Sequence, residues 1–401
     1  MYPNVVSLPA ASSSEHLLAL AEVDDFGSTD MGYPGEGPWT FRILREPSLT
    51  AELTRAASPQ SNRKVDSLTF QPCSPHIYQN QDRFIVEEWN LLGGTWQFNS
   101  VFDGHVNHHT VDYVAETLPR QLKKYLSAAL RELGNQQIHP AHFSNLFPED
   151  PRRLSRMSDG QVQDIFSRDA SGQSRRAAAR CLGGTTLLIS LTDPGEENVW
   201  IANLGGTLVN QLHATYDQRE AQRIRSEHPQ ERTVLEKRKI LGFLEPTQSD
   251  WRHLVENTVI VYLPRFLNLE QDWISPGTLK QCAARISTPP YVSNIPDIYH
   301  RDLPNRPWFL LLCSDGLPAT EVYNNLDIFS TIRLWTELVG NALDSSSPPV
   351  NLALSLLRAA IGGANERTVS RNLTVEMEER WMDDVSISIQ RFTARRPPSV
   401  R

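Results

Sequence analysis

The stretch Trp96-Gln-Phe-Asn-Ser-Val-Phe-Asp-Gly-His105 decides the fold. Its aromatic and β-branched residues predict a strand, and that strand ends on a carboxylate, a glycine and a histidine. An aspartate followed by an unhindered glycine carbonyl suits a hard, oxygen-seeking cation, and equally suits a tight turn. Two further stretches favour the cation. Trp308-Phe-Leu-Leu-Leu-Cys-Ser-Asp-Gly316 repeats an apolar run ending on Asp-Gly, and Trp381-Met-Asp-Asp-Val-Ser-Ile-Ser-Ile389 sets two acids ahead of an alternating strand. Carboxylates at three strand ends can converge on one cation cluster.

Around these runs the periodicity predicts a mixed chain. Asp82 to Trp89 reads as a strand, Gly93-Gly94 as a hairpin turn and Trp96 to Phe102 as the partner. The period then lengthens: Val111, Val114, Leu118, Leu122, Leu126 and Leu130 share one face of a long helix, which Pro119 should kink or split. Gly184 to Leu191, the turn Asp193-Pro-Gly195 and Val199 to Gly205 predict an almost continuously apolar central hairpin. Ser67 to Phe70 and Asn257 to Tyr262 read as further strands. Helices are expected over Leu49 to Ala57, Gln218 to His228, Glu231 to Lys239, Asn325 to Leu338 and Val350 to Gly362. Strands interrupted by a few long helices predict an α+β fold, an α/β/β/α sandwich of two central, mostly antiparallel sheets flanked by helices. The domain reading is an N-terminal extension over 1–37, expected to be mobile, one domain over 38–393 and a tail over 394–401. Within that domain lies a polar insertion over 135–181, where Arg152, Arg153, Arg156, Arg175, Arg176 and Arg180 form two basic clusters; the plainer reading is a solvated loop, the sharper one a docking flap for acidic or phosphorylated substrate.

Composition narrows the function. Against 39 Lys and Arg stand 47 Asp and Glu, a formal charge of −8, which argues against a nucleic-acid coat. Cys73, Cys181, Cys282 and Cys313 lie far apart, with neither zinc nor disulfide spacing. His108 and His109 open a helix, and acids beside the histidines disfavour zinc, so neither joins the site. No run is long and apolar enough to span a bilayer. Acids without any basic residue before Arg42 point to cytosol or nucleus. Asn372-Leu-Thr374 is a chance match to a glycosylation pattern.

In order along the chain, Gln81-Asp82, Val101-Phe-Asp-Gly-His105, Gly184-Thr-Thr186, Ala202-Asn-Leu-Gly205, Ser314-Asp-Gly316 and Asp383-Asp384 resemble the metal-dependent protein phosphatase family, also called type 2C protein phosphatases. The resemblance runs from about Ser67 to Phe392. Glu220 to Pro229, Leu241-Gly-Phe-Leu-Glu-Pro246 and Pro289-Pro-Tyr291 with Pro296 and His300 look most like its mitochondrial pyruvate dehydrogenase phosphatase branch, which implies the matrix as the alternative compartment.

The resemblance implies a protein serine/threonine phosphatase using two Mg²⁺ or Mn²⁺ ions and water bridging them, with a phosphorylated protein as substrate; the chain is expected to act as a monomer. It implies Asp103 as the bridging ligand, Asp315 and Asp383 on the first ion, the Gly104 carbonyl on the second, and Asp82 acting through water. His105 is the implied acid for the departing oxygen. Several positions depart from the family pattern. Gly206 and Ala319 stand where the family has acids of a weaker third metal site, Gln81 replaces a glutamate beside the second ion, Ile77 stands near a phosphate-binding arginine, and Val106-Asn107 replace a glycine pair. These losses predict a weak second ion, and they keep open a pseudophosphatase that binds phosphoproteins without turnover. A nuclease is disfavoured because no basic or aromatic groove is evident.

Overall fold

The computed structural model describes residues 25–73, 79–105, 108–132, 184–205, 207–208, 211–212, 218–237, 239–242, 285, 287, 296–347 and 349–394. The chain divides into two compact units, one built from residues 1–80 with 308–392, the other from 81–307 with 393–401.

The first unit opens with β1 (Phe26–Thr29) and β2 (Trp39–Arg42), paired antiparallel. Part of the extension expected over 1–37 is thus a strand, while 1–24 lies outside the described residues. Next come α1 (Ser48–Ala57), β3 (Gln60–Ser61) and β4 (Val65–Phe70). The chain then enters the second unit with β5 (Arg83–Leu91), β6 (Gly94–His105), α2 (His108–Glu132), β7 (Gly184–Thr192) and β8 (Asn198–Leu204). Short pairs follow, β9 (Thr207–Leu208) with β10 (Gln211–Leu212), then α3 (Gln218–Glu227), then β11 (Leu235–Glu236) with β12 (Lys239–Ile240), before β13 (Asp297–Asp302). The first unit is completed by β14 (Trp308–Cys313), α4 (Ile328–Asp344), α5 (Leu352–Ala360), α6 (Glu366–Thr374) and β15 (Val385–Phe392).

In the second unit a five-stranded sheet runs β13-β8-β7-β6-β5, every ladder antiparallel. The β5–β6 hairpin closes one residue earlier than expected, on Leu92-Gly93: Leu91 pairs with Gly94, and Gly93 takes φ +94, open to a residue without Cβ. At the β7–β8 turn the Asp193 carboxylate accepts from the Glu197 and Asn198 backbone N–H groups at 2.7 and 3.0 Å. The face of α2 expected from its spacing does pack on this sheet, Val111, Val114 and Leu118 joining Trp96, Phe98, Phe102, Leu187 and Ile189. Pro119 does not split α2, which runs unbroken over 25 residues.

In the first unit the order is β14-β15-β4-β3, also antiparallel throughout. Val385, Ile387 and Ile389 on one face of β15 are fully buried against Leu352, Leu356, Leu357 and Val369 of the helices. The α+β class is thus realised, with antiparallel sheets and helices laid on each. One helix is corrected. Leu235–Glu236 and Lys239–Ile240 pair as short antiparallel strands, because the charged run there has no apolar stripe and Lys237 adopts φ +52. The helix α6, unforeseen, starts at Asn365, whose side chain accepts from the Thr368 N–H at 3.1 Å. The strand expected over Asn257 to Tyr262 and the insertion over 135–181 lie outside the described residues.

Candidate active site

In the second unit the residues named from sequence gather around the end of β6. Residues two apart on a strand project to the same side, and Asp103 Oδ1 lies 3.2 Å from His105 Nδ1, both side chains partly buried. Across the ladder Asp103 pairs with Thr186, Gly104 with Thr185 and His105 with Gly184. The Gly184-Thr-Thr186 block is therefore the register partner of Asp-Gly-His, and the Thr185 hydroxyl donates to the Asp103 carbonyl at 3.0 Å. Glycine at 104 is a steric necessity: a Cβ there would stand 2.5 Å from the Gln81 carbonyl oxygen and 2.9 Å from Val111 Cγ1. That close approach fixes the Gln81-Asp82 segment beside β6. Arg83 fastens it from the other side, donating through Nη1 to the Asp82 carbonyl at 2.7 Å and through Nε to the Asp112 carboxylate of α2 at 2.8 Å. Asp82 itself is buried. Sequence reasoning passed over Arg83; its place next to Asp82 was the available signal.

The first unit carries Asp315 and Asp383. Gly316 again permits a backbone contact that no side chain would, since a Cβ would fall 1.9 Å from the Asp384 carbonyl oxygen. Ser314 completes the junction: its N–H donates to Ser386 O at 3.1 Å, and its hydroxyl accepts from the Ser386 N–H at 2.8 Å. The turn bearing Asp315 is thereby locked to the Asp383-Asp384 segment, with Asp315 and Asp383 both exposed. Asp384 is buried and held by Gln71 Nε2 at 2.7 Å and Arg380 Nη2 at 3.1 Å, which makes it a fixing point for the loop. Arg380 Nη2 also pairs with Asp383 Oδ1. Gln71 and Arg380 were not anticipated, although Arg380 stands three residues before Asp383. Beside them burial pushes the Cys73 thiol up, away from the thiolate a metal would need.

The donor set suits hard cations: carboxylates, a backbone carbonyl and an amide oxygen, with no thiolate. In the first unit the Asp383 carboxylate already holds a positive group, the Arg380 guanidinium, standing in for a cation. Among the described residues no three His, Cys, Asp or Glu side chains form a ready-made ligand cluster. Gln81, Asp82, Asp103, Gly104 and His105 belong to one unit, Asp315 and Asp383 to the other. Ala319 is exposed and supplies no acid; Ile77, Val106-Asn107, Gly206 and the six insertion arginines lie outside the described residues. No helix among the described residues is long and apolar enough to cross a membrane.

Comparison with known proteins agrees with the residue blocks. A probable protein phosphatase 2C of Arabidopsis thaliana is 26% identical over 198 residues, covering 49% of this chain and 27% of that protein. The mitochondrial [pyruvate dehydrogenase (acetyl-transferring)]-phosphatase 1 of Saccharomyces cerevisiae is 24% identical over 381 residues, covering 76% of this chain and 63% of that protein. The chain thus spans less than two thirds of the length of either relative. Among solved structures, the serine-threonine phosphatase 2C of Toxoplasma gondii superposes with a TM-score of 0.43 at 15% identity, covering 84% of this chain and 97% of that one. The family model described as protein phosphatase 2C matches residues 78–361, well over half of the sequence, and the chain therefore belongs to the protein phosphatase 2C family.

Proposed function

We propose that the protein is a Mg²⁺- or Mn²⁺-dependent protein serine/threonine phosphatase that hydrolyses phosphoserine and phosphothreonine. The observation that carries this reading is the arrangement at the end of β6. There Asp103 and His105 sit side by side, Gly104 admits the Gln81 carbonyl, and the pairing with Gly184-Thr185-Thr186 holds all three in register. Asp103, Asp315 and Asp383 are the assigned ligands of one ion, and Asp103 with the Gly104 carbonyl and Gln81 those of a second. When bound, the two ions neutralise clustered carboxylates and phosphoryl oxygens and lower the pKa of the attacking water. Asp82, buried beside the segment, orients water by hydrogen bonding. His105 has its Nδ1 against the Asp103 carboxylate, and its imidazole is assigned to protonate the departing serine or threonine oxygen. Monomeric action in the cytosol or nucleus belongs to the same proposal, with the matrix as its alternative because a mitochondrial relative is among those matched.

Hydrolysis of a phosphopeptide by the purified protein, with Mn²⁺, with chelator, and with Asp103→Ala, tests the proposal. Turnover should require metal and fall at least a hundredfold in the variant, since loss of the shared carboxylate disorganises both ions. Activity of Asp103→Ala near the parent's would overturn the assignment. Absence of turnover by the parent at saturating Mn²⁺ would instead leave a phosphoprotein-binding module.

A further inference from the structure

The guanidinium of Arg380 stands on the carboxylate that the proposed function gives to a metal. Its Nη2 pairs with Asp383 Oδ1 and lies 3.1 Å from Asp384 Oδ2, while its Nε donates to the Met382 carbonyl at 3.1 Å. A cation is thus held over Asp383 by its own loop, at the high effective concentration of a tethered group. Asp383 also accepts from the Asp384 N–H at 2.9 Å, so the carboxylate is oriented before any ion arrives.

Two features argue for a releasable contact over a plain structural one. Asp384 does not depend on Arg380 alone, because Gln71 Nε2 reaches its other oxygen at 2.7 Å. The Arg380–Asp383 pair is solvent-accessible, its side chains 32% and 51% exposed, where an ion pair is weak and exchanges readily. Arg380 and Asp383 line a cavity of about 730 Å³ that also contains Glu321, Arg371 and Trp381. Another carboxylate, that of Glu321, lines the same cavity and pairs with Arg371.

We propose that Arg380 is a latch on the metal site: it occupies Asp383 when metal is scarce and must be displaced for the ion to bind. The latch rests on the reading of Asp383 as a metal ligand. It sets a threshold, because the metal must outcompete a tethered cation before this carboxylate is available. An acidic group entering the cavity would draw Arg380 away and lower that threshold.

Calorimetric titration with Mn²⁺ alone, on the parent, Arg380→Gln, Asp383→Asn and the double variant, tests this without reference to turnover. Glutamine keeps hydrogen-bond donors but not the charge. Arg380→Gln should bind Mn²⁺ about two- to fivefold more tightly, as expected when one exposed ion pair stops competing. That gain should vanish when Asp383→Asn is added. Equal affinity in the parent and Arg380→Gln, with both weakened by Asp383→Asn, would overturn the latch and leave the metal site standing. Asp383→Asn without effect in either background would overturn both. If Arg380→Gln does not fold, Arg380→Met, which removes the charge at similar length, should show the same gain; no gain there counts against the latch.

Discussion

At the scale of single residues, the site is governed by what a side chain lacks. Gly104 lacks a Cβ and lets the Gln81 carbonyl approach; Gln81 has the shape of a glutamate and lacks its charge. Under the proposed function the second ion then has only the shared Asp103 as an anionic ligand. Gln81→Glu changes no volume at a half-buried position and adds a negative charge. The Mn²⁺ concentration for half-maximal hydrolysis should fall about tenfold, the equivalent of one pKa-unit-sized interaction. A metal titration of activity in parent and variant reads this directly, and superimposable curves would show that position 81 does not face the ion. Asp103, Gly104, His105, Asp315 and Asp383 could be picked out beforehand because each sits at the end of an apolar run. Arg83 and Arg380 offered no signal beyond their nearness to Asp82 and Asp383, and Gln71 offered none. They act by reaching back onto neighbouring loops, and an isolated arginine or glutamine in a polar segment carries no periodic signature.

At the scale of elements, what could be read was whatever repeats. The α2 stripe and the long strands β6 and β7 follow their apolar spacing, and the helices α1, α3, α4 and α5 appear near their expected places. α6 escaped notice because only Val369, Leu373 and two small polar residues of its nine are buried, too few to mark a stripe. Charge without an apolar face misled in the opposite direction at Glu231 to Lys239. Helix ends depend on individual caps, and α5 is the most heavily fastened. Asn351 accepts from the Leu354 N–H at 2.8 Å and donates through Nδ2 to the Gln60 carbonyl and the Ser61 hydroxyl, each at 2.9 Å. Buried Asp66 of β4 accepts the neighbouring Leu352 N–H at 3.0 Å. One side chain thus caps the helix and ties down edge strand β3. Asn351→Ala should cost about 2 kcal/mol, the upper end for a cap, since two further bonds go with it. Chemical denaturation would show a lowered midpoint at unchanged slope; a midpoint equal to the parent's would mean Asp66 suffices alone.

On the scale of the whole molecule, the first unit is assembled from the two ends of the described chain. β15 lies between β14 and β4, pairing Ile387 with Cys313 on one side and with Leu68 on the other. Local patterning identifies each of these strands but contains nothing that joins residue 68 to residue 387; such pairings cost loop-closure entropy that only the finished sheet offsets. The consequence is all-or-none. Without β15, β14 and β4 have no hydrogen-bonded neighbour in common, and the helices lose Val385, Ile387 and Ile389 from their core. A chain ending at Asp384 should therefore fail to protect the first unit from protease, with cleavage throughout 39–70 and 308–380 where the full chain resists. A gentler probe is Ile387→Ala, a fully buried position whose truncation should cost about 2–5 kcal/mol, a large part of the ~5–15 kcal/mol that stabilises a domain. If the shortened chain kept its protection, β15 would be an accessory strand, and the first unit would have to be held by helix packing and not by the β14-β15-β4 pairing.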